Sequence, residues 1–303
     1  GTYSAHISLN ASTQYDLQAR GVAASASYGF LKNPVGYLIS SSSLSESEIN
    51  SMENYFVDKG AAARSAFGSV TNFYSAWRSC STLTSFPLID TSSGTLFYFA
   101  WRDCSSLTSF PLINTSLGAN FSSAWRSCTS LTSFPLLDTS SGTSFSDTWR
   151  SCSSLTSFPL INTSLGTNFS SAWHSCTSLT SFPLLDTSSG TSFSNAWYNC
   201  TSLTSFPAGF FDSWSPASVS SGVLNAAWDG CTSLTAQSVE NILTSLDTSG
   251  VYGTNTGASG GTQLADHTID IDYDGTTLSS ATSTAITSLK SKNWAISINS
   301  VIQ

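Results

Sequence analysis

The chain has 303 residues, a net charge of −8, and only 9% charged but 12% aromatic residues. So little charge, of acidic sign, argues against broad nucleic-acid binding, which relies on Lys and Arg to neutralise phosphates; a hydrophobic content of 40% argues against disorder. No apolar run reaches the ~18 residues of a membrane span, and the opening GTYSAHISLN lacks the basic-then-apolar layout of a signal peptide.

Residues 1–70 carry no repeat. Short strands are expected over Gly1–Ser41. The stretch SESE from Ser45 to Glu48 is a capping box that opens a helix through EINSMENYFVDKG. Ile49, Met52, Tyr55 and Phe56 give that helix one apolar face, and Gly60 is a plausible stop. Its expected role is to cover the first turn of a repeat array that begins at residue 71.

From residue 71 to 235 one phrase recurs. Trp77, Trp101, Trp125, Trp149, Trp173 and Trp197 are spaced by 24, and Trp228 follows after 31 because residues are inserted around FFDSWSP. Each Trp has a Cys three positions later: Cys80, Cys104, Cys128, Cys152, Cys176, Cys200 and Cys231, which are all the cysteines of the chain. Phe stands four residues before six of these Trp, and Leu stands three residues after each Cys. In FSDTWRSC the apolar positions fall at i, i+4 and i+7, which predicts a short helix. In SLTSFPLLD, Leu131, Phe134 and Leu136 follow the L-x-x-L-x-L spacing of a leucine-rich-repeat strand. DTSSG then turns the chain. Neither segment can bury its apolar face alone, so the expected fold is an α/β solenoid of 24-residue strand–turn–short-helix repeats with a parallel sheet, capped at both ends. Seven turns at strand spacing would span about 34 Å. Pro87, Pro111, Pro135, Pro159, Pro183 and Pro207 lack a ladder donor, so regular pairing is expected to be short and to end at the proline.

Residues 236–303 read as a C-terminal α/β cap: Thr235 as N-cap of AQSVENILTSL, a Gly/Thr/Asn-rich loop, HTIDIDY as a strand, TLSSATSTAITSLKSK as a helix and WAISINSVI as a strand.

The phrase AWRSCTSLTSFPL resembles the repeat of BspA-like leucine-rich repeats, found in bacterial and protist surface proteins. LLDTSSGTSFSDTWRSC resembles the related lipoprotein surface repeat. The tail, CTSLTAQSVENILTSLDTSG with AITSLKSKNWAISIN, is similar to repeat proteins encoded by tailed phages of marine cyanobacteria. Trp replaces the family's usual Phe, and proline falls one position early. The resemblance implies a surface or virion protein that binds or builds.

Four features could carry chemistry. The cysteines recur singly without C-x-x-C pairs, so no zinc or other metal is expected, and they read as buried thiols. The residue after each Trp is Arg78, Arg102, Arg126, Arg150, His174, Tyr198 and Asp229, a column holding four of the six arginines. Stacked arginines repel, so this column must face solvent or an anion; it either grips phosphate or carboxylate groups of a polysaccharide or is a solvated face. The turn column alternates Asp90, Asn114, Asp138, Asn162 and Asp186. That spacing, about 10 Å between carboxylates, fits turn capping better than the paired acids of a glycosidase. Asp270, Asp272 and Asp274 alternate along a strand, as a calcium site or, more simply, a solvent-facing edge. His6, His174 and His267 form no catalytic or ligand spacing.

These observations imply a non-enzymatic virion or extracellular-surface protein, of phage tail-fibre or adhesin type, that needs no cofactor and binds a host-surface glycan or protein. The alternative is a structural assembly or decoration protein whose partners are neighbouring virion subunits. A polysaccharide-cleaving enzyme and an ice-binding protein are weaker readings. No membrane insertion is expected, no heptad specifies an oligomer, and a homo-oligomer remains among the partner states.

Overall fold

The computed structural model describes residues 30–33, 36–39, 67–216, 222–253 and 268–303. The helix expected after Ser45 lies outside them. Near the N-terminus, β1 (Phe30–Asn33) pairs antiparallel with β2 (Gly36–Ile39).

Successive copies of the 24-residue phrase lie in register, one behind the next. Parallel bridges link Asn72 to Leu96, Leu96 to Asn120, Asn120 to Ser144, Ser144 to Asn168 and Asn168 to Ser192. The buried rings run through the copies as columns. Neighbouring Trp rings are stacked with centroids 5.1–6.2 Å apart. Phe73, Phe97, Phe121, Phe145, Phe169 and Phe193 form a second column at 5.2–5.7 Å. A third column, Phe86 to Phe206, meets each Trp edge-to-face, as at Trp125–Phe134, 4.8 Å and 77°. Offset stacks and edge-on contacts both suit the ring quadrupole. The indole nitrogens of Trp101, Trp125, Trp149, Trp173, Trp197 and Trp228 are buried without a hydrogen-bond partner.

The FSDTWRSC segment is not a helix. Alternate N–H groups leave the segment: in the first copy those of Phe73, Ser75, Trp77 and Ser79 donate to the carbonyls of Leu96, Tyr98, Ala100 and Arg102 in the next turn. The intervening N–H groups of Ala76, Arg78 and Cys80 return to the carbonyl three residues back. This alternation needs left-handed residues two before and two after each Trp, such as Ser123 (φ 55°) and Ser127 (φ 61°). Phe121, Ala124, Trp125 and Cys128 still share one buried side, which is why the spacing imitates a helix.

The Leu-rich segment also departs from the expected pattern. Leu136 is exposed, and Leu137 takes the buried place. The cause is the proline: the Leu137 N–H donates to the Pro135 carbonyl at 2.9 Å, a three-residue turn that flips the parity of the strand. The same bond forms at Ile113, Ile161 and Leu185. Between copies the backbone bond of this segment that recurs in every turn runs from each Thr N–H to the preceding Thr carbonyl, as Thr132 to Thr108, and alternate copies add one from Ser130 to Ser105 and from Ser178 to Ser153. Among the described residues of this segment the only bridge is Ser181–Ser205, in place of the expected parallel sheet.

The turns are held by side chains. Asp138 Oδ1 accepts the Ser140 N–H at 3.0 Å, and Asp90, Asn114, Asn162 and Asp186 repeat the motif. The Ser140 hydroxyl and N–H hold the Asp138 carboxyl below its usual range. The next residue, a buried Thr, donates to the carbonyl of the following turn, as Thr115 to Asp138 at 2.6 Å.

At the C-terminal end, α1 (Ala236–Thr248) covers the last copy, with Thr235 as its N-cap. Ser238 and Ser245 accept the N–H groups of Phe206 and Phe211, backbone donors that the end of a stack would leave open. The inserted FFDSWSP buries Phe210, Phe211 and Trp214 beside them. Next, β3 (Thr268–Ile271) is bridged to the last copy at Trp228–Ile271 and runs parallel to β4 (Ala295–Ile298). The connecting helix α2 (Ser280–Ser291) is capped by Ser279. The stretch WAISINSVI is two strands, because Asn299 and Ser300 (φ 47° and 60°) turn β5 (Val301–Ile302) back antiparallel onto β4.

Candidate binding site

The arginine column is anchored on both sides. Each Trp N–H from Trp77 to Trp197 bonds forward to the next copy, and each Arg N–H bonds back to the residue in left-handed conformation, as Arg126 to Ser123. The guanidinium groups therefore rise from a fixed backbone at the spacing of the copies. Of solvent or an anion, the two surroundings such a column allows, the structure supplies an anion. Asp103 lies 3.9 Å from Arg78 and 3.3 Å from Arg102. Asp147 lies 3.6 Å from Arg126 and 3.1 Å from Arg150, where it accepts a hydrogen bond from Nη1. Two carboxylates thus serve four arginines, and the anion the column needs is supplied by the chain itself. Partial burial lowers the Arg126 pKa, against the attraction of Asp147.

Beyond the arginines the column changes character. His174 stacks on Tyr198 at 4.8 Å, and its Nδ1 shares a hydrogen bond with the Ser175 hydroxyl at 2.8 Å. Partial burial, with Arg150 nearby, holds His174 below the usual imidazole pKa. Asp229 ends the column; burial and then the Asp272 carboxylate raise its pKa. Asp270 and Asp272 are half-buried here instead of forming an open strand edge: burial raises the Asp270 pKa, and Asp272 accepts the Gly230 N–H at 3.0 Å. Asp274 caps a separate turn by accepting the Thr276 N–H. Among the described residues, no group of three or more His, Cys, Asp or Glu is placed to hold a metal ion.

The distinctive surface is at the first two copies, where the repeat breaks. Most copies read NFSSAWRSC or close to it, but these read NFYSAWRSC and LFYFAWRDC. Tyr98 and Phe99 stack at 3.8 Å, and Tyr74 packs against them at 5.4 and 6.1 Å. The Arg102 and Arg78 guanidinium carbons lie 5.0 and 5.5 Å from the Phe99 ring centre. Phe99 has φ 59°, at a position where other copies carry Ser, Asp, Asn or Ala. A bulky residue in that region costs roughly 1–2 kcal/mol, and such strain gathers at sites of function. Reading the column by its consensus missed Tyr74, Tyr98, Phe99 and Asp103. The signal that would have found them is the departure of the second copy from the others.

The cysteine column lies on the buried side. All seven are free thiols. Each from Cys104 to Cys231 donates its S–H to the carbonyl of the Trp in the preceding copy, at 3.0–3.2 Å. Burial raises the Cys152 pKa to about 12 and those of Cys104, Cys128, Cys176 and Cys231 well above the ordinary thiol value.

No family model, curated protein or solved structure matches the chain. Among the described residues no helix is long and apolar enough to cross a membrane.

Proposed function

We propose that the chain is a non-enzymatic surface or virion protein of fibre or adhesin type, a leucine-rich-repeat-like solenoid that binds a host-surface glycan at its first two turns. The observation that supports this most is Phe99, held in the left-handed region with its ring against Tyr98 and beneath Arg78 and Arg102. Phe99 props up this cluster, whose exposed Tyr74 ring can take the apolar face of a sugar ring, while Arg78, Arg102 and Asp103 supply charged hydrogen-bonding groups around it. The surface setting rests on the repeat phrases and their resemblance to BspA-like and phage-encoded repeats. The test is a glycan array probed with the native chain, with Phe99→Asn and with Arg78→Ala/Arg102→Ala. Binding that both variants reduce at least tenfold supports the site. Binding that neither variant changes, or no binding at all, overturns it.

A structural assembly protein is the second reading, and the paired arginines favour it. With Asp147 already serving Arg126 and Arg150, the far half of the column is less free to bind an external anion.

A further inference from the structure

A second surface lies on another side of each turn and owes nothing to the arginine column. Leu88, Leu112, Leu136, Leu160 and Leu184, each following a proline, are between 49% and 64% exposed. They recur every 24 residues, so they form an apolar stripe along the stack. A second column adds Leu117 and Leu165, 52% and 51% exposed. These two stand where the alternate copies carry Ser93, Ser141 and Ser189, whose hydroxyls donate to the carbonyls of Gly68, Ser116 and Ser164 at 2.5–2.7 Å. A leucine there gives up a bond between turns and exposes an apolar side chain. An isolated chain gains nothing from that exchange.

We infer that this leucine face is an interface with a second copy of the chain, the two stacks lying side by side and parallel. Seven half-exposed leucines offer on the order of 700 Å², close to the ~800 Å² that each partner contributes to a standard interface. A second copy carries the same stripe at the same spacing, so each leucine from Leu88 to Leu184 meets its counterpart at its own level, and Leu117 and Leu165 add apolar area at the margin. Charge selects the direction. Around each turn the exposed columns run in the order Thr/Ser, Leu, then Asp or Asn, with Asp90, Asp138 and Asp186 always on the same side of the stripe. A two-fold axis across the stack would set the Asp column against its own copy. A two-fold axis along the stack reverses the order, so Asp of one copy faces Thr and Ser of the other. It also places both Tyr74–Phe99 clusters at the same end of the pair, where two weak sites act together.

The test is sedimentation equilibrium of the full chain beside a Leu112→Ser/Leu136→Ser/Leu160→Ser variant. Because these side chains are exposed, the variant keeps the near-ultraviolet circular dichroism of its buried tryptophans. A native dimer whose dissociation constant rises at least tenfold in the variant is the expected result. A native monomer, or a dimer the variant leaves unchanged, overturns the interface; loss of binding to neutral phosphatidylcholine vesicles or to a glycan array in the same variant would then assign the stripe to that occupant. Direction is read with a short bismaleimide, the native thiols being buried. Leu88→Cys chains should cross-link with one another. Cross-linking only after mixing with Leu184→Cys chains overturns the parallel arrangement. Neither readout depends on whether the aromatic cluster binds a glycan.

Discussion

The Cys128 thiol donates to the backbone carbonyl of Trp101, 27 residues earlier, at 3.2 Å. The same oxygen accepts the Cys104 N–H at 3.3 Å. The thiol therefore fills the second acceptor site of a carbonyl inside the aromatic core, and its small size lets it lie between two copies. Replacing Cys128 with Ala removes both the donor and the sulfur volume, and should lower unfolding free energy by about 2 kcal/mol. Urea denaturation measures this. Burial raises the pKa of Cys128, Cys152 and Cys176, whereas the hydrogen bond with Cys104 lowers that of Cys80 at the start of the column, so a disulfide reagent such as DTNB should label Cys80 first in the native chain and all seven cysteines after unfolding.

Gly118 makes the packing of the turn testable. A Cβ at this position would lie 2.4 Å from Phe121 Cζ and 3.0 Å from the Thr115 carbonyl oxygen. The ring is itself stacked between Phe97 and Phe145, so it has little room to retreat. Gly118→Ala should destabilise the chain by about 2 kcal/mol or more, and Gly142→Ala, built the same way, by a similar amount. Gly275→Ala has open space around it, so its cost should come from its positive φ alone, about 1 kcal/mol. Denaturation midpoints of the three variants check the ranking.

Much of this construction was legible in the repeated columns. Trp, Phe and Cys at constant spacing announced stacked rings and buried thiols, because identical residues in identical turns must meet their own copies. The cap of α1 was legible too, since Thr235 stands just before an apolar-periodic run, whereas α2 was expected to start at Thr277 and its cap, Ser279, was not singled out. What escaped was backbone conformation. Phe121, Trp125 and Cys128 have helical spacing, yet Ser123 and Ser127 are left-handed, and serine, common throughout the chain, gave no warning of it. Leu136 and Leu137 are equally apolar, so only the short turn at Pro135 decides which is buried. Asp103 and Asp147 were invisible as partners because they occupy different positions in their copies, one after Trp101 and one before Trp149.

Asp147 can be separated from its neighbours by substitution. It is the carboxylate beside both Arg126 and Arg150. Asp147→Asn leaves the size of the side chain unchanged but leaves two guanidinium groups facing one another. Stability should fall by about 1 kcal/mol at low ionic strength, and the deficit should shrink in salt, which screens the repulsion. The released arginines should also bind an anionic polymer, so the variant should elute from a heparin column at higher salt than the native chain. Equal elution would mean that the arginines stay occupied without Asp147.

Phe99 offers the opposite test, a substitution that should stabilise. Its left-handed backbone suits Asn, which already holds the equivalent place as Asn195 (φ 55°). Phe99→Asn relieves strain of roughly 1–2 kcal/mol and loses the partly exposed contact with Tyr98. The net change should lie between zero and about 1 kcal/mol of stabilisation, read as an unchanged or raised melting temperature. A clear loss of stability would show that the ring serves the core.

The carboxylates at the other end of the column set a pH dependence. Burial and Asp272 raise the Asp229 pKa, and burial raises that of Asp270. A raised pKa means that the folded chain binds the proton more tightly than the unfolded chain, so these groups make stability fall as pH rises through the range from ordinary aspartate values to the raised ones. Above that range both are charged and carry their full penalty; below the unfolded value the penalty is gone. Asp229→Asn removes one of the two charges and should raise the melting temperature at pH 7, while the two chains should converge as pH falls toward 4. Asp138, whose pKa is lowered by its bonds to Ser140, acts in the reverse sense. Its contribution is present at neutral pH and is lost as pH falls through its depressed value, so Asp138→Asn should narrow the acid-induced loss. Melting curves of the three chains between pH 3 and 7 separate the two effects by sign.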